Sequence, residues 1–170
     1  MEKGIFVKSL RVLLSAAVLL CSACGPTADD PAALVSSKTI QKLLEAPRQG
    51  PTLLVFWATW CAPCIKEIPT LQELHEDAAL DLQIVSVSLD AFLEGPQGGR
   101  QLVVDFLQET PLPWKQLVYE GSQDELFEPF ELSGMIPYSI LYDAHGEELI
   151  RFTGKFRAAQ VRVMLASHTP

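Results

Sequence analysis

The chain has 170 residues, of which 20% are charged, and a formal net charge of −8 at pH 7. This length is typical of a single domain with terminal segments. The acidic balance repels phosphate backbones, so nucleic acid is not expected as a partner. The four cysteines form two Cys-x-x-Cys pairs, Cys21 with Cys24 and Cys61 with Cys64. A zinc ribbon is disfavoured because 36 residues separate the pairs, whereas such sites usually have ~15–20.

Residues 1–23 are predicted to be a signal peptide, followed by a tether over residues 24–32. The start is basic, and Val12–Leu20 carries no charge over nine residues. Because a membrane-spanning helix needs ~20 apolar residues, a cleaved leader is preferred to an uncleaved membrane anchor. Cleavage would remove three basic residues and one acidic residue, which leaves a net charge of about −10.

The end of this leader resembles the lipobox of bacterial lipoproteins, in which a cysteine after two small residues becomes the lipidated first residue. Ser22, Ala23 and Cys24 fit the pattern, whereas Cys21 stands where leucine is usual. The resemblance implies lipidation of Cys24, with ordinary cleavage nearby as the alternative. A lipidated Cys24 would hold the protein on the extracytoplasmic, periplasmic side of a membrane of the bacterial envelope.

Residues 33–170 are predicted to fold as one domain in which strands and helices alternate. The predicted strands cover residues 33–35, 52–57, 82–89, 117–119, 138–142 and 148–152. The predicted helices start at Ser36 or Ser37, after Cys64 with a kink at Pro69, after a loop at Gly95–Gly99, at Asp124 and at Arg157. Alternation that ends in a hairpin and a helix predicts an α/β domain with a mixed sheet.

Cys61 and Cys64 lie where a predicted strand passes into a helix. Unpaired backbone N–H groups and the helix dipole favour a thiolate there. Cys61 is therefore expected to be an exposed nucleophile, and Cys64 an inward-facing residue that resolves the mixed disulfide. An inert disulfide clip is the alternative, although so short a loop adds little stability. Ala62 and Pro63 carry neither charge nor imidazole, which favours a reductant.

The run Phe56–Cys64, followed by Lys66–Pro69, resembles the TlpA/ResA-like branch of the thioredoxin superfamily. The resemblance covers roughly residues 52–157. It implies a thioredoxin fold, with a central mixed sheet flanked by helices and a helical insertion of the TlpA-like type. It further implies a membrane-tethered, extracytoplasmic thiol-disulfide oxidoreductase, often a reductant in cytochrome c maturation. The redox group would be a Cys61–Cys64 disulfide, without a metal or another cofactor.

A second motif, Gly134–Tyr138, agrees with this resemblance. It implies that Pro137 follows a cis peptide bond beside the cysteines, and that the backbone of Ile136 pairs with a bound partner. An ordinary trans proline in an edge strand is the alternative. Trp60 is expected at the partner-facing rim, with a core position as the alternative. The residues predicted to bind the partner are Trp60, Ala62, Pro63, Ile136 and Pro137.

Glu67 is the candidate for proton transfer. It lies three residues past Cys64, on nearly the same helix face. It matches a glutamate that lies near the cysteines in ResA-like members and influences their ionisation. Val55 stands where thioredoxin has a buried acid, six residues before its first cysteine. The alternative is a solvated glutamate in a first helical turn, where negative charge is favourable.

The chain departs from the family pattern in two places. Residues 33–46 are predicted as a strand and a helix, where TlpA-like domains usually have a β-hairpin. The Gly-rich loop within residues 90–113 is longer than expected for the family's insertion.

The leading hypothesis is a monomeric dithiol reductant of protein disulfides in the cell envelope, recharged by an upstream membrane electron donor. A disulfide oxidase or isomerase is the enzymatic alternative. Peroxiredoxins share the fold, but their cysteine follows a Thr-x-x-Cys segment without this Cys-x-x-Cys. A non-catalytic module, such as a copper carrier, remains a further alternative, although such carriers have a Cys-x-x-x-Cys spacing that this chain lacks.

Overall fold

In residues 30–47 and 49–168, which the computed structural model describes, one sheet is flanked by helices. The strands are β1 (Ala33–Val35), β2 (Thr52–Trp57), β3 (Gln83–Ser88), β4 (Lys115–Tyr119), β5 (Tyr138–Tyr142) and β6 (Glu148–Thr153). The helices are α1 (Ser37–Glu45), α2 (Ala62–Ile65), α3 (Ile68–Glu76), α4 (Ala91–Glu109), α5 (Gln123–Phe130) and α6 (Ala158–His168). The predicted leader, Cys24 and most of the tether lie outside the described residues.

The sheet is mixed, as the sequence predicts. Its strand order is β1-β4-β3-β2-β5-β6. The first four of these strands run parallel, whereas β5 and β6 are antiparallel to their neighbours. All six residues of β2 are buried, because the strand lies in the middle of the sheet with both faces covered. Cys61 and Cys64 lie shortly after the end of this central strand.

Alternate side chains of β2 enter two separate cores. Leu54 and Phe56 pack with residues of α1 and α5 on one face of the sheet. Leu53 and Val55 pack with residues of α3 and α6 on the other face. Because successive side chains of a strand point to opposite faces, the unbroken apolar run of β2 supplies both cores.

The helix predicted after Cys64 is in fact two helices, so the prediction of one helix kinked at Pro69 is wrong. Helix α2 ends at Ile65, and α3 begins at Ile68. Pro69 occupies the first turn of α3, where a missing N–H leaves no hydrogen bond unmade. The break places Glu67 in the short connection between the two helices.

The loop predicted at Gly95–Gly99 is also wrong, because the segment lies inside α4. The helix is interrupted at Gly95 alone, with φ 69° and ψ 171°, and Pro96 starts its second part. Gly99 allows this second part to cross the first closely, since a Cβ there would lie 2.3 Å from the backbone N of Ala91. Helix α4 connects β3 to β4, the place of the expected helical insertion.

Most other predicted elements are confirmed with small boundary shifts. Ser36 caps α1, since its side chain accepts a hydrogen bond from the backbone N–H of Thr39. Residues 33–45 form a strand and a helix, as predicted for this segment where TlpA-like domains usually have a β-hairpin. Between residues 30 and 168, apart from residue 48, no helix is long and apolar enough to cross a membrane.

Candidate active site

The two cysteines that follow β2 are joined by a disulfide. Its S–S distance is 2.03 Å, and the two Cα atoms are 5.3 Å apart. Cys61 is the N-cap residue of α2, and its Sγ accepts a hydrogen bond from the backbone N–H of Cys64 at 3.3 Å. An N-terminal N–H group aimed at Sγ favours negative charge on that sulfur. This geometry supports Cys61 as the nucleophile.

Cys61 is not exposed in this disulfide form, so that part of the prediction is wrong. Its exposed fraction is 5%, against 4% for Cys64. Both sulfurs belong to a cluster with Trp57 and Ala58, and the half-buried Ile136 packs against it. Because Ile136 comes from a distant part of the chain, the burial could not be inferred from the local spacing.

The Ile136–Pro137 peptide bond is cis, as the resemblance implies, so the trans alternative is wrong. The carbonyl oxygen of Ile136 lies 3.6 Å from Sγ of Cys61. The carbonyl of Pro137 lies within the fold's own hydrogen bonding, since it accepts a hydrogen bond from the N–H of Gly154 at 2.8 Å. The pairing of Ile136 with a bound partner stays a prediction.

The exposed residues adjacent to the cysteines and to the cis-proline motif are apolar. Trp60 is 52% exposed, which rules out its alternative core position. Ala62 and Pro63 are exposed beside it. Met135, which the sequence analysis did not single out, is 61% exposed next to Ile136. A side chain of this size at the surface next to the cis-proline motif adds apolar area to the rim.

Glu67 is buried, with an exposed fraction of 1%, so the solvated alternative is wrong. Its Oε1 accepts a hydrogen bond from the backbone N–H of Phe156 at 2.9 Å, whereas Oε2 has no hydrogen-bond partner within the described residues. Desolvation raises the pKa of Glu67 from 4.5 to about 7, against the opposing effects of the Phe156 hydrogen bond and the charge of Lys155. Near neutral pH this carboxyl can therefore either accept or release a proton.

Glu67 and Cys64 line one small cavity beneath the disulfide, with a volume of about 10 Å³. Trp57 and Trp114 form part of its wall, together with Val55, which occupies the position of thioredoxin's buried acid. The Nε1–H of Trp57 has no partner within the described residues. Glu67 thus lines the cavity that it shares with Cys64 from the α2–α3 connection rather than from β2. Its role in proton transfer stays a prediction.

Sequence reasoning missed Asp90, which lies two residues after the end of β3 and is fully buried. Its carboxylate accepts hydrogen bonds from both the N–H and the hydroxyl of Thr59, two residues before Cys61. The contact between Asp90 and Thr59 follows from the register of the parallel strands β2 and β3. Trp57 of β2 pairs with Ser88 of β3, so residues two positions further on in each chain segment meet at the same sheet edge.

Comparison with known families identifies a match to the AhpC/TSA family over residues 28–161. The chain belongs to this family. It is 30% identical to sporulation thiol-disulfide oxidoreductase A of Bacillus subtilis over 128 residues, which cover 74% of this chain and 73% of that protein. It is 45% identical over 80 residues to the thiol-disulfide oxidoreductase ResA of Oceanobacillus iheyensis, with coverage of 46% of this chain and 36% of ResA.

Solved structures agree on the fold. The crystal structure of StoA from Bacillus subtilis aligns with a TM-score of 0.55 at 29% identity, covering 69% of this chain and 84% of StoA. A DsbF homologue from Corynebacterium diphtheriae aligns with a TM-score of 0.59 at 18% identity, covering 71% of this chain and 73% of its own. The predicted thioredoxin fold and TlpA/ResA-like resemblance are confirmed, and the protein is a thiol-disulfide oxidoreductase that carries a disulfide between Cys61 and Cys64.

Proposed function

We propose that this oxidoreductase is a dithiol reductant of protein disulfides on the extracytoplasmic side of a bacterial envelope, as in cytochrome c maturation. The thiolate of Cys61 attacks one sulfur of the partner's disulfide, and the other sulfur leaves as a thiol after taking up a proton. Cys64 then attacks Cys61, which forms the intramolecular disulfide and releases the reduced partner. A membrane electron donor returns two electrons and two protons to the pair, which is the redox group in this proposal.

The main support for a reductant, rather than an oxidase, is the burial of Glu67 in a cavity that it shares with Cys64. An ionised carboxylate near a sulfur disfavours the thiolate by charge repulsion. A less stable thiolate makes the dithiol form less stable relative to the disulfide, and the pair then gives up electrons more readily. At pH values near 7 the same carboxyl can take the proton of Cys64 as that residue attacks Cys61.

The residues between the cysteines support the same direction. Ala62 and Pro63 are exposed and uncharged, so neither donates a hydrogen bond from its side chain to the Cys61 thiolate. A donor at this place would stabilise the thiolate and make the disulfide a stronger oxidant.

The proposed site of action rests on the leader residues. The basic start, the uncharged run Val12–Leu20 and the small residues before Cys24 support export and lipid anchoring at Cys24. Mass spectrometry of the mature N-terminus tests this, since a diacylated Cys24 is the expected product. A Cys24→Ser variant is expected to leave the membrane fraction, and retention there would contradict lipid anchoring.

The direction of electron flow is tested by equilibrating the purified protein with glutathione redox buffers. A potential near that of thioredoxin, about −270 mV, supports a reductant. A value of about −120 to −180 mV would instead assign the protein as an oxidase or isomerase.

The partners are tested with a Cys64→Ser variant in the native host. Without Cys64 the mixed disulfide on Cys61 cannot be resolved, so the partner is trapped and identified by mass spectrometry. The double variant Cys61→Ser, Cys64→Ser is the matched control and should trap nothing. Equal capture by both variants would show that the recovered proteins do not react with Cys61.

A further inference from the structure

Asp90 stands at the start of a helix but does not cap it. Aspartate is among the preferred N-cap residues because its carboxylate accepts hydrogen bonds from the first turn. At the start of α4, however, Asp90 makes no side-chain cap. Its carboxylate turns away from α4 towards the segment that precedes the redox pair, where it is fully buried.

Within the described residues, every hydrogen bond to this carboxylate comes from Thr59 or Ser88. The Thr59 hydroxyl donates to Oδ1 at 2.5 Å. The Thr59 N–H is shared between Oδ1 at 3.3 Å and Oδ2 at 3.0 Å. The Ser88 hydroxyl donates to Oδ2 at 2.6 Å and accepts from the N–H of Asp90 at 3.0 Å. Both donors of Thr59 are thus held by one buried side chain.

A carboxylate is suited to this position because it only accepts hydrogen bonds. An asparagine amide would turn its NH₂ group towards one of the three N–H or O–H donors. Buried hydrogen bonds to a charged group are also stronger than those between neutral groups. The arrangement therefore restrains Thr59 more firmly than a neutral side chain would.

The network is not needed to join the two strands. Trp57 and Ser88 already pair within the sheet, and the N–H of Leu89 donates to the carbonyl of Trp57 at 2.9 Å. What Asp90 adds lies beyond the end of β2, at the turn where the N–H of Cys61 donates to the carbonyl of Ala58 at 3.1 Å. Thr59 lies inside that turn, so its restraint fixes where α2 begins.

We propose that Asp90 is a positioning residue for thiol-disulfide exchange, acting through Thr59 to hold Cys61 at the N-terminus of α2. In that place the Sγ of Cys61 faces the N–H of Cys64 and the carbonyl of Ile136. A turn released from Asp90 would hold the sulfur less well against the N–H of Cys64, and the thiolate would lose part of the stabilisation that this donor supplies. The role is independent of the direction in which electrons flow.

The test compares Thr59→Val, which removes the hydroxyl but keeps the charge of Asp90, with Thr59→Ser, which restores the hydroxyl. The readouts are the rate at which iodoacetamide modifies Cys61 in the reduced protein, followed by peptide mass spectrometry, and the equilibrium with glutathione. We expect Thr59→Val to slow the modification about threefold to tenfold and to shift the equilibrium towards the disulfide. Thr59→Ser should stay within about twofold of the original rate.

The control variant Tyr119→Phe distinguishes a specific effect on Cys61 from a general loss of fold stability. That variant removes the hydrogen bond from the Tyr119 hydroxyl to the carbonyl of Ser122, 2.8 Å long and outside the redox site. It should lower the melting temperature without changing either readout. An unchanged Cys61 rate in Thr59→Val, or equal rates in both Thr59 variants, would overturn the proposal. If Thr59→Val does not fold, Ser88→Ala should give a smaller effect in the same direction, and no effect there would overturn the proposal as well.

Discussion

The backbone N–H of Phe156 donates a hydrogen bond to Oε1 of Glu67 at a distance of 2.9 Å. The bond ties the connection between α2 and α3 to the segment that leads into α6. It orients a carboxyl group whose other oxygen has no hydrogen-bond partner within the described residues. Because one hydrogen bond does not replace the water lost on burial, the pKa of Glu67 rises to about 7.

The pH dependence of the resolving step should follow Glu67. As the pH rises through about 7, the carboxyl ionises and becomes able to accept the proton of Cys64. The rate at which Cys64 releases a partner from Cys61 should therefore rise over this range, and Glu67→Gln should remove that rise. Stopped-flow measurement on a preformed mixed disulfide from about pH 5 to about pH 9 checks this. Glu73→Gln, a change of an exposed glutamate on α3, is the matched control and should keep the original profile.

Stability of the disulfide form should decrease as the pH rises towards neutrality. The pKa of Glu67 is higher in the folded chain, about 7, than its ordinary value of 4.5. The folded state therefore binds more protons between these values, and the free energy of unfolding falls with rising pH by up to about 3 kcal/mol. Urea unfolding of the original protein and Glu67→Gln at about pH 5 and about pH 8 checks this. If the free energy of unfolding of Glu67→Gln fell as much between these two pH values as that of the original protein, the assignment to Glu67 would be contradicted.

Gly99→Ala should destabilise the protein more than Gly95→Ala. A Cβ at Gly99 would lie 2.3 Å from the backbone N of Ala91 and 2.7 Å from the carbonyl carbon of Asp90, so backbone must move. A Cβ at Gly95 meets no heavy atom within 4 Å, and only the positive φ opposes it. We expect a cost of about 1–2 kcal/mol for Gly95→Ala and more than about 3 kcal/mol for Gly99→Ala. Chemical denaturation of the two variants checks the order, and equal losses would contradict a close contact at Gly99.

Trp60→Ala should weaken reaction with protein disulfides and leave the potential of the cysteine pair unchanged. The indole is 52% exposed beside Cys61, and large aromatic side chains supply much of the binding free energy at protein interfaces. We expect kcat/KM for a protein disulfide to fall about tenfold or more. Val163→Ala changes a side chain that is 66% exposed on α6 and should have no effect. A shift of the glutathione equilibrium in Trp60→Ala would assign the indole to the redox chemistry instead.

The sequence was sufficient where a feature depends on local pattern. The continuous apolar run predicted β2, and the spacing of the cysteines after it predicted Cys61 at a helix start. The sequence-based prediction is wrong at Gly99, because a glycine-rich segment was interpreted as a loop. The glycine instead allows two parts of α4 to pack closely. A glycine required by a helix crossing cannot be told from a loop glycine without the partner backbone.

Other parts of the site depend on pairs of residues far apart in the chain. The burial of Cys61 depends on Trp57 and the distant Ile136. The partnership of Asp90 with Thr59 follows from the register between β2 and β3, which no local pattern defines. For Glu67 the sequence predicted a position near Cys64, while its desolvation depends on packing between segments that are distant in the chain.

The central position of β2 also determines how the protein opens locally. Strand β2 pairs along its length with β3 on one side and with β5 on the other, whereas β1 and β6 form the edges of the sheet. Amide groups of β2 should therefore exchange with solvent only through the largest openings, and those of the edge strands through small, frequent ones. The turn from Ala58 to Cys61 follows the end of β2. The edge strands β1 and β6 can therefore open while the cysteines remain in place.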